Sequence, residues 1–292
     1  MNKWVKRGTS LAIFFVAWRF VSFFCSEQTE GFSLLRIQPD FSLVPIEQPL
    51  SRCKEFPAAL FSQPFYYLAR GGQCFAFVSE DGKIVIKFLH HHIYKPYSFL
   101  FKIPMPLSLK RIILKRLDKQ LLKIKKERAS YKLAYEELQE ESGLLYVHWG
   151  EPTSGEERLT LVDKLGIKHS LDLNGVEFVV QKRVDLLPCA LNRLSNEEEL
   201  KLAIHGVVDL LVRCAQKGIF DEDPGLHRNI GFEEKTPLLI DVGKLVKNMP
   251  KSTNYKEELP LMITRFRSFL ETSYPNLVSI LDEEISTACS QD

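Results

Sequence analysis

The rhythm of hydrophobic and polar positions changes several times along this chain. Gly8 to Trp18 carry no charge, Arg19 interrupts, and apolar residues resume as far as Cys25. Residues 26–60 lack a lasting period and hold prolines at 39, 45, 49 and 57, which predicts a linker or wrapping arm. From Tyr66 the texture becomes β-like. Phe75, Phe77 and Val78 lead into Ser79-Glu80-Asp81-Gly82, and Ile84-Val85-Ile86 follow. Asp-Gly between two such runs predicts a hairpin with a type I′ turn. Residues 93–107, with three prolines and many aromatics, read as a loop, and a long helical pattern follows from Ser108 to about Glu141.

Leu144–Trp149, Leu159–Asp163 and Val176–Val184 read as further strands, the last two flanking a turn at Asn174-Gly175. Ser195 and Glu198 have capping-box spacing. Behind them Leu200, Ala203, Ile204, Val207, Leu211, Cys214 and Ala215 keep helical phase until Gly218. A polar loop, an apolar strand at Leu238–Ile240 and a helical region from Glu257 to Ile285 complete the chain. This order, a β-rich half with one helix and then a helical half, predicts an α+β fold in two lobes. The expected division is an N-terminal segment 1–30, an arm 31–65, an N-lobe 66–184 and a C-lobe 185–292.

Composition excludes the extreme classes. With 45% hydrophobic and 26% charged residues, 292 in all, the chain is neither disordered nor collagen-like nor a polytopic membrane protein. The net charge of +2 hides a partition: residues 1–101 carry +4, 102–128 carry +8 and 129–292 carry −10. Six cysteines, at 25, 53, 74, 189, 214 and 289, form no CxxC pair, so neither a zinc site nor a disulfide framework is expected. Lys3, Lys6 and Arg7 before the apolar stretch fit a signal peptide or a short uncleaved anchor, and hence membrane association or export. Basic residues before the stretch and Glu27 and Glu30 after it favour an internal N-terminus, which would place the domain across the membrane from cytosolic ATP.

Four features fall in a meaningful order. Gly71-Gly72-Gln73 opens the hairpin, and paired glycines let backbone N–H groups approach phosphate. Lys87 ends the run Ile84-Val85-Ile86 and can reach a phosphate from the sheet. Asp221-Glu222-Asp223, with Asn229-Ile230-Gly231 behind, can display a base and a metal ligand. Asp241-Val242-Gly243 puts a carboxylate at the mouth of an apolar strand, the oxygen chemistry Mg²⁺ prefers.

In that order the four resemble the protein-kinase-like superfamily over about residues 66–245, with the look of an atypical bacterial branch. The resemblance implies an ATP site: Gly71, Gly72 and Gln73 over the phosphates, Lys87 contacting them, and Val180–Val184 as the hinge. Asn229 and Asp241 would hold Mg²⁺, and Asp223 or Asp221 would act as the base, with Asp223 the better match. Departures from the family pattern are Gln73 and Ala76 at loop-glycine positions, Asp221-Glu222 for His-Arg, and six positions rather than five from Asp223 to Asn229. Only 49 residues follow Gly243, without an Ala-Pro-Glu segment. A catalytically silent pseudokinase module, or a small-molecule or lipid kinase, are the alternative readings.

A glutamate on the long helix should partner Lys87. Glu127 shares a face with Leu121, Ile124, Tyr131 and Tyr135, which selects it over Glu136 and Glu137. The same helix carries nine basic residues between Lys110 and Arg128, interleaved with Ile113, Leu117, Leu121 and Ile124. That is either a solvated face over a core stripe or a surface attracted to anionic lipid. Too few aromatics interleave the block for nucleic acid. His90-His91-His92 reads as a polar loop start, since consecutive residues cannot all face one ion.

Overall fold

The computed structural model describes residues 3–44, 58–150, 158–223 and 225–290. Seven strands form one sheet: β1 Phe65–Arg70, β2 Cys74–Ser79, β3 Ile84–Leu89, β4 Leu144–Trp149, β5 Arg158–Val162, β6 Lys168–Asp172 and β7 Glu177–Lys182. Their spatial order is β4-β7-β3-β2-β1-β5-β6. Every neighbouring pair is antiparallel except β1 and β5. Alternation in these aromatic and β-branched runs buries Phe65, Phe75, Phe77, Ile86, Phe88 and Phe178 in one core. The expected hairpin is present, but only Gly82 has positive φ, at 71°. Asp81 stabilises the turn by accepting from Ser79 Oγ (2.6 Å) and Lys83 N–H (3.1 Å).

Residues 93–107, expected as a loop, contain a short helix, Lys95–Phe101, and the long helix runs over Leu107–Glu137. The separate turn Gln139–Ser142 ends at Gly143, whose φ of 61° a glycine tolerates. Leu117, Ile124, Tyr131, Ala134 and Tyr135 form the buried stripe of the long helix. His90 and His91 are buried, not the polar start of a loop. Burial pushes both imidazoles down to about 3, which keeps them neutral.

The second lobe is built on the helix Glu197–Gln216, whose N-cap is Asn196 rather than Ser195. The Asn196 side chain accepts from Glu198 N–H at 3.0 Å, so the shorter span of the cap displaces the expected Ser–Glu box. Helices Tyr255–Ser273 and Val278–Ser290 pack against it through Leu259, Ile263, Phe266, Leu270 and Leu281. Two small ladders lie between the lobes' cores: β8 Asp185–Leu186, β10 Ile230–Glu233 and β11 Thr236–Leu239 form one, β9 Ile219–Asp221 and β12 Leu245–Lys247 the other. The architecture is thus α+β, a β-rich lobe followed by a small helical one.

Ahead of the sheet, residues 29–44 wrap the first lobe as an arm. Phe32 packs edge-on against Phe75 and Phe77, and Glu30 accepts from Tyr67 Oη at 2.9 Å and Lys164 Nζ at 2.6 Å. Lys3–Gln28 form one helix of 26 residues, with apolar side chains from Ile13 to Phe24 exposed. Among the described residues no helix is long and apolar enough to cross a membrane. Five cysteines are free; Cys53 lies outside the described residues.

Candidate active site

Register places the four sequence features together. On β3, Lys87 lies opposite Ala76 of β2 and Val179 of β7, so its side chain leaves the sheet toward the second lobe. Lys87 Nζ donates to Gln181 Oε1 at 2.6 Å and to the carbonyl of Ile240. Gln181 Nε2 in turn donates to the carbonyls of Ser142 (2.5 Å) and Leu239 (2.9 Å). The two side chains therefore tie the sheet to the strand that ends at Asp241. Desolvation lowers the Lys87 ammonium from its ordinary value, while Cys74 and Asp241 oppose that fall.

Asp221 ends β9 and Asn229 ends the turn Leu226–Asn229. Asn229 Nδ2 donates to Asp221 Oδ2 at 3.0 Å, and the Asp223 N–H donates to Asp221 Oδ1 at 2.8 Å. Burial raises the Asp221 carboxyl to about 6, with the negative charges of Asp241 and Asp223 adding to the rise. Asp223 behaves oppositely. Its hydrogen bond from Lys244 Nζ, at 2.6 Å, lowers it below the usual carboxylate range. The Ile240 N–H donates to the Asn229 carbonyl at 2.7 Å, which fixes the Asn loop against the segment entering Asp241.

Gly71 and Gly72 form the exposed turn between β1 and β2, closed by a 2.9 Å bond from Gly71 N–H to the Cys74 carbonyl. Gln73 points inward. Its side chain lies so close to Gly243 that a Cβ there would collide with the amide, and its Oε1 has no hydrogen-bond partner. A side chain at position 243, where the Asp-Val-Gly segment passes beneath the turn, would have to push the Gln73 amide aside.

Glu127 is 3% exposed and turned toward the same space, but it does not pair with Lys87. Its neighbour is Lys123, at 3.6 Å. Desolvation raises its carboxyl to about 7, with Asp241 contributing to the rise. Arg128, the next residue, forms the helix's buried ion pair, with Glu177 of β7, and His91 Nε2 lies 3.1 Å from the same carboxylate. A cavity of about 390 Å³ opens between the long helix and residues 243–247, lined by Gln73, Lys123, Lys126, Glu127, Gly243 and Lys244. A second, of about 320 Å³, is lined by Asp185, Arg193, Leu202, Phe232 and Lys235 and holds none of the expected site residues.

Sequence reasoning missed three contributors. Gln181 ends the apolar run Phe178-Val179-Val180 as a polar residue buried in the sheet, and only its place at the run's edge could have marked it. Ser130, buried on the long helix, donates to the Val242 carbonyl and accepts from Leu245 N–H, both at 2.5 Å. Lys244 follows Gly243 directly and neutralises Asp223.

A strand lysine, a long helix beside it, an Asp–Asn loop and an Asp-Val-Gly turn thus meet between a β-rich and a helical lobe. No known family model matches the sequence, and no curated protein matches it. Among solved structures the chain is similar to Rv3197 of Mycobacterium tuberculosis, determined with erythromycin. That alignment has 11% identity over 95% of this chain and 75% of the other, with TM-score 0.36. WbdD, determined with a kinase inhibitor, aligns at 11% identity over 75% of this chain and 45% of its own, with TM-score 0.37. This chain therefore spans just under half of WbdD. ADP-bound aminoglycoside phosphotransferase APH(2'')-Ib aligns at 10% identity over 86% and 94%, with TM-score 0.32. At such identities and scores, the site's own geometry carries the functional argument.

The cation implied by the sequence resemblance is Mg²⁺. Asp241 and the Asn229 amide supply oxygen donors, and Asn229 commits its nitrogen to Asp221, leaving its oxygen for a cation. That suits Mg²⁺, which takes few protein ligands and shares substrate phosphates. Among the described residues no three His, Cys, Asp or Glu side chains form a metal cluster.

Proposed function

We propose that this chain is an ATP- and Mg²⁺-dependent phosphotransferase. The observation that carries the reading is the bridge from Lys87 to the carbonyl of Ile240, which sets a cation one residue from Asp241. Mg²⁺, when bound, would neutralise the phosphate oxygens and align them for transfer. The protein's own residues do the rest. Lys87 holds phosphate charge, Gly71 closes the turn on the Cys74 carbonyl so that Gly72 can offer its backbone N–H, and Gln73 covers the site from above. Asn229 and Asp241 are the metal ligands. Asp223, the more accessible carboxylate, orients the acceptor hydroxyl, while Asp221 braces the Asp223 amide and the Asn229 side chain. Such positioning, with electrostatics, is most of what phosphoryl transfer requires.

The test is calorimetric titration of the full chain with ATP, with and without Mg²⁺, beside Asp241→Asn. Mg²⁺-dependent binding that Asp241→Asn weakens at least tenfold is expected; absence of nucleotide binding overturns the proposal. A second reading, a silent pseudokinase, is motivated by Lys87 and Glu127 pairing elsewhere instead of with each other, and by the Asp223–Lys244 ion pair. Equal ATP turnover in wild type, Asp223→Asn and Asp241→Asn would favour it.

Membrane association belongs to the same proposal. The exposed apolar side chains of the N-terminal helix support it, as does the basic block 110–128, whose attraction to anionic lipid is about 1 kcal/mol per residue near the surface.

A further inference from the structure

The short helix Lys95–Phe101 and the start of the long helix pack as a hairpin joined by residues 102–106. Its tip is apolar and uncovered. Phe99 is 66% exposed and Leu107 76%, with Leu100 and Ile103 exposed between them. Leu109, Ile112 and Leu114 continue the exposed surface along the long helix, outside the stripe that Leu117 and Ile124 bury. Scattered exposed leucines need no explanation, whereas a contiguous apolar tip does.

Basic residues line the hairpin behind the tip. Residues 95–126 hold ten lysines and arginines against one acid, Asp118. Lys110 lies 4.7 Å above the Phe101 ring, and Arg111, Lys115, Arg116 and Lys119 are exposed. This combination narrows the occupant. A second copy of the chain would set one basic surface against another, and an acidic polymer would leave the apolar tip in water. An anionic bilayer meets both demands, with phosphates for the basic residues and the headgroup–acyl boundary for the tip.

We infer that the tip from Phe99 to Leu107 inserts into an anionic lipid surface while the lysines and arginines behind the tip lie on that surface's phosphates. The inference rests on the membrane part of the reading above and names the element that enters; it is independent of phosphoryl transfer. The site would then be carried on the first lobe, with the long helix both touching lipid at one end and presenting Glu127 at the other.

Full-length protein is sedimented with phosphatidylcholine vesicles with and without phosphatidylglycerol. Wild type is compared with Phe99→Ser/Ile103→Ser/Leu107→Ser and with Lys115→Gln/Arg116→Gln/Lys119→Gln. Wild type should bind the anionic vesicles at least tenfold more tightly than the neutral ones, on which only apolar contacts act. The apolar triple variant should bind about tenfold more weakly or worse, from the apolar area it withholds, and the charge variant should lose salt dependence as well as affinity. If the triple variant does not fold, Leu107→Glu alone gives the same reading. Equal binding by wild type and the apolar variants overturns the insertion and leaves the electrostatic attraction standing. Failure of wild type to bind anionic vesicles overturns both. Self-association of wild type without vesicles, abolished in the apolar variant, would make the tip an interface between copies and also overturn the inference.

Discussion

Lys87 hydrogen-bonds the carbonyl of Ile240, the residue immediately before Asp241, and leaves Glu127 to Lys123. A strand of the first lobe is thereby fastened to the segment of the second that carries the candidate metal ligand. Gln181 reinforces the connection with its bond to the Leu239 carbonyl. The groups expected to act on one nucleotide are mechanically coupled without it.

Glu127 makes stability depend on pH. Its carboxyl is raised from an ordinary 4.5 to about 7, so the unfolded chain ionises at lower pH than the folded one. Both states are protonated below about pH 4, and no difference arises there. As pH rises through that window, the folded state loses stability until about pH 7, by up to about 3 kcal/mol. Glu127→Gln should therefore raise the denaturation midpoint at pH 8 and leave it nearly unchanged at pH 4. A midpoint gain independent of pH would contradict this.

Two glycines should respond differently to alanine. At Gly231 a Cβ would meet Val184 Cγ2 and, at 2.8 Å, the backbone oxygen of Asp185, which cannot withdraw without breaking the β8–β10 pairing. Gly231→Ala should cost about 1–3 kcal/mol. At Gly243 the obstacle is the far end of the Gln73 side chain, which can swing away. Gly243→Ala should cost less than about 1 kcal/mol but displace Gln73. Urea unfolding of both variants checks the order, and Gln73→Ala combined with Gly243→Ala should remove the smaller cost.

Ser130 is a single bolt between the long helix and the Asp-Val-Gly segment. Ser130→Ala strands the Val242 carbonyl and the Leu245 N–H in a buried place, at about 1–3 kcal/mol. Hydrogen exchange should show the loss concentrated at residues 242–247. Uniform weakening across the second lobe would count against this local role.

The Arg128–Glu177 pair, with His91 against it, is fully enclosed. Glu177→Ala removes the carboxylate that faces a buried guanidinium and should cost about 3–5 kcal/mol. Replacing both partners, by Arg128→Met and Glu177→Leu, should recover much of that loss. A double variant as unstable as Glu177→Ala would show that packing, not the lost ion pair, sets the cost.

Much of the fold was legible because its signals are local. The Asp81-Gly82 hairpin, the long helix, the helix closed by Gly218 and the Leu238–Ile240 run each depend on residues a few positions apart. Errors fell where a competing local contact won. Asn196 capped the helix that Ser195 was expected to cap, and the proline-rich stretch 93–107 accommodated a helix because Pro96 sits in its first turn, where its missing N–H is not needed. The candidate site was legible in its residue types but not in its pairing. Glu127 was chosen from helical phase, and phase does place it on the buried face. Phase says nothing of how far a side chain on one element lies from an ammonium on another.

By itself, then, the sequence determined the α+β order, the strand lysine, the Asp–Asn loop and the separation of a basic helix from an acidic second half. These follow from periodicity, turn chemistry and composition, which act within short stretches of chain. Only the tertiary structure decided that Lys87 answers to Gln181 and Ile240, that Arg128 rather than Glu127 forms the helix's buried ion pair, and that the arm wraps the sheet. It also decided that the hairpin tip stays bare. Those outcomes depend on register across the sheet and on which apolar surfaces find a partner, and both are settled by contacts between residues far apart in the chain.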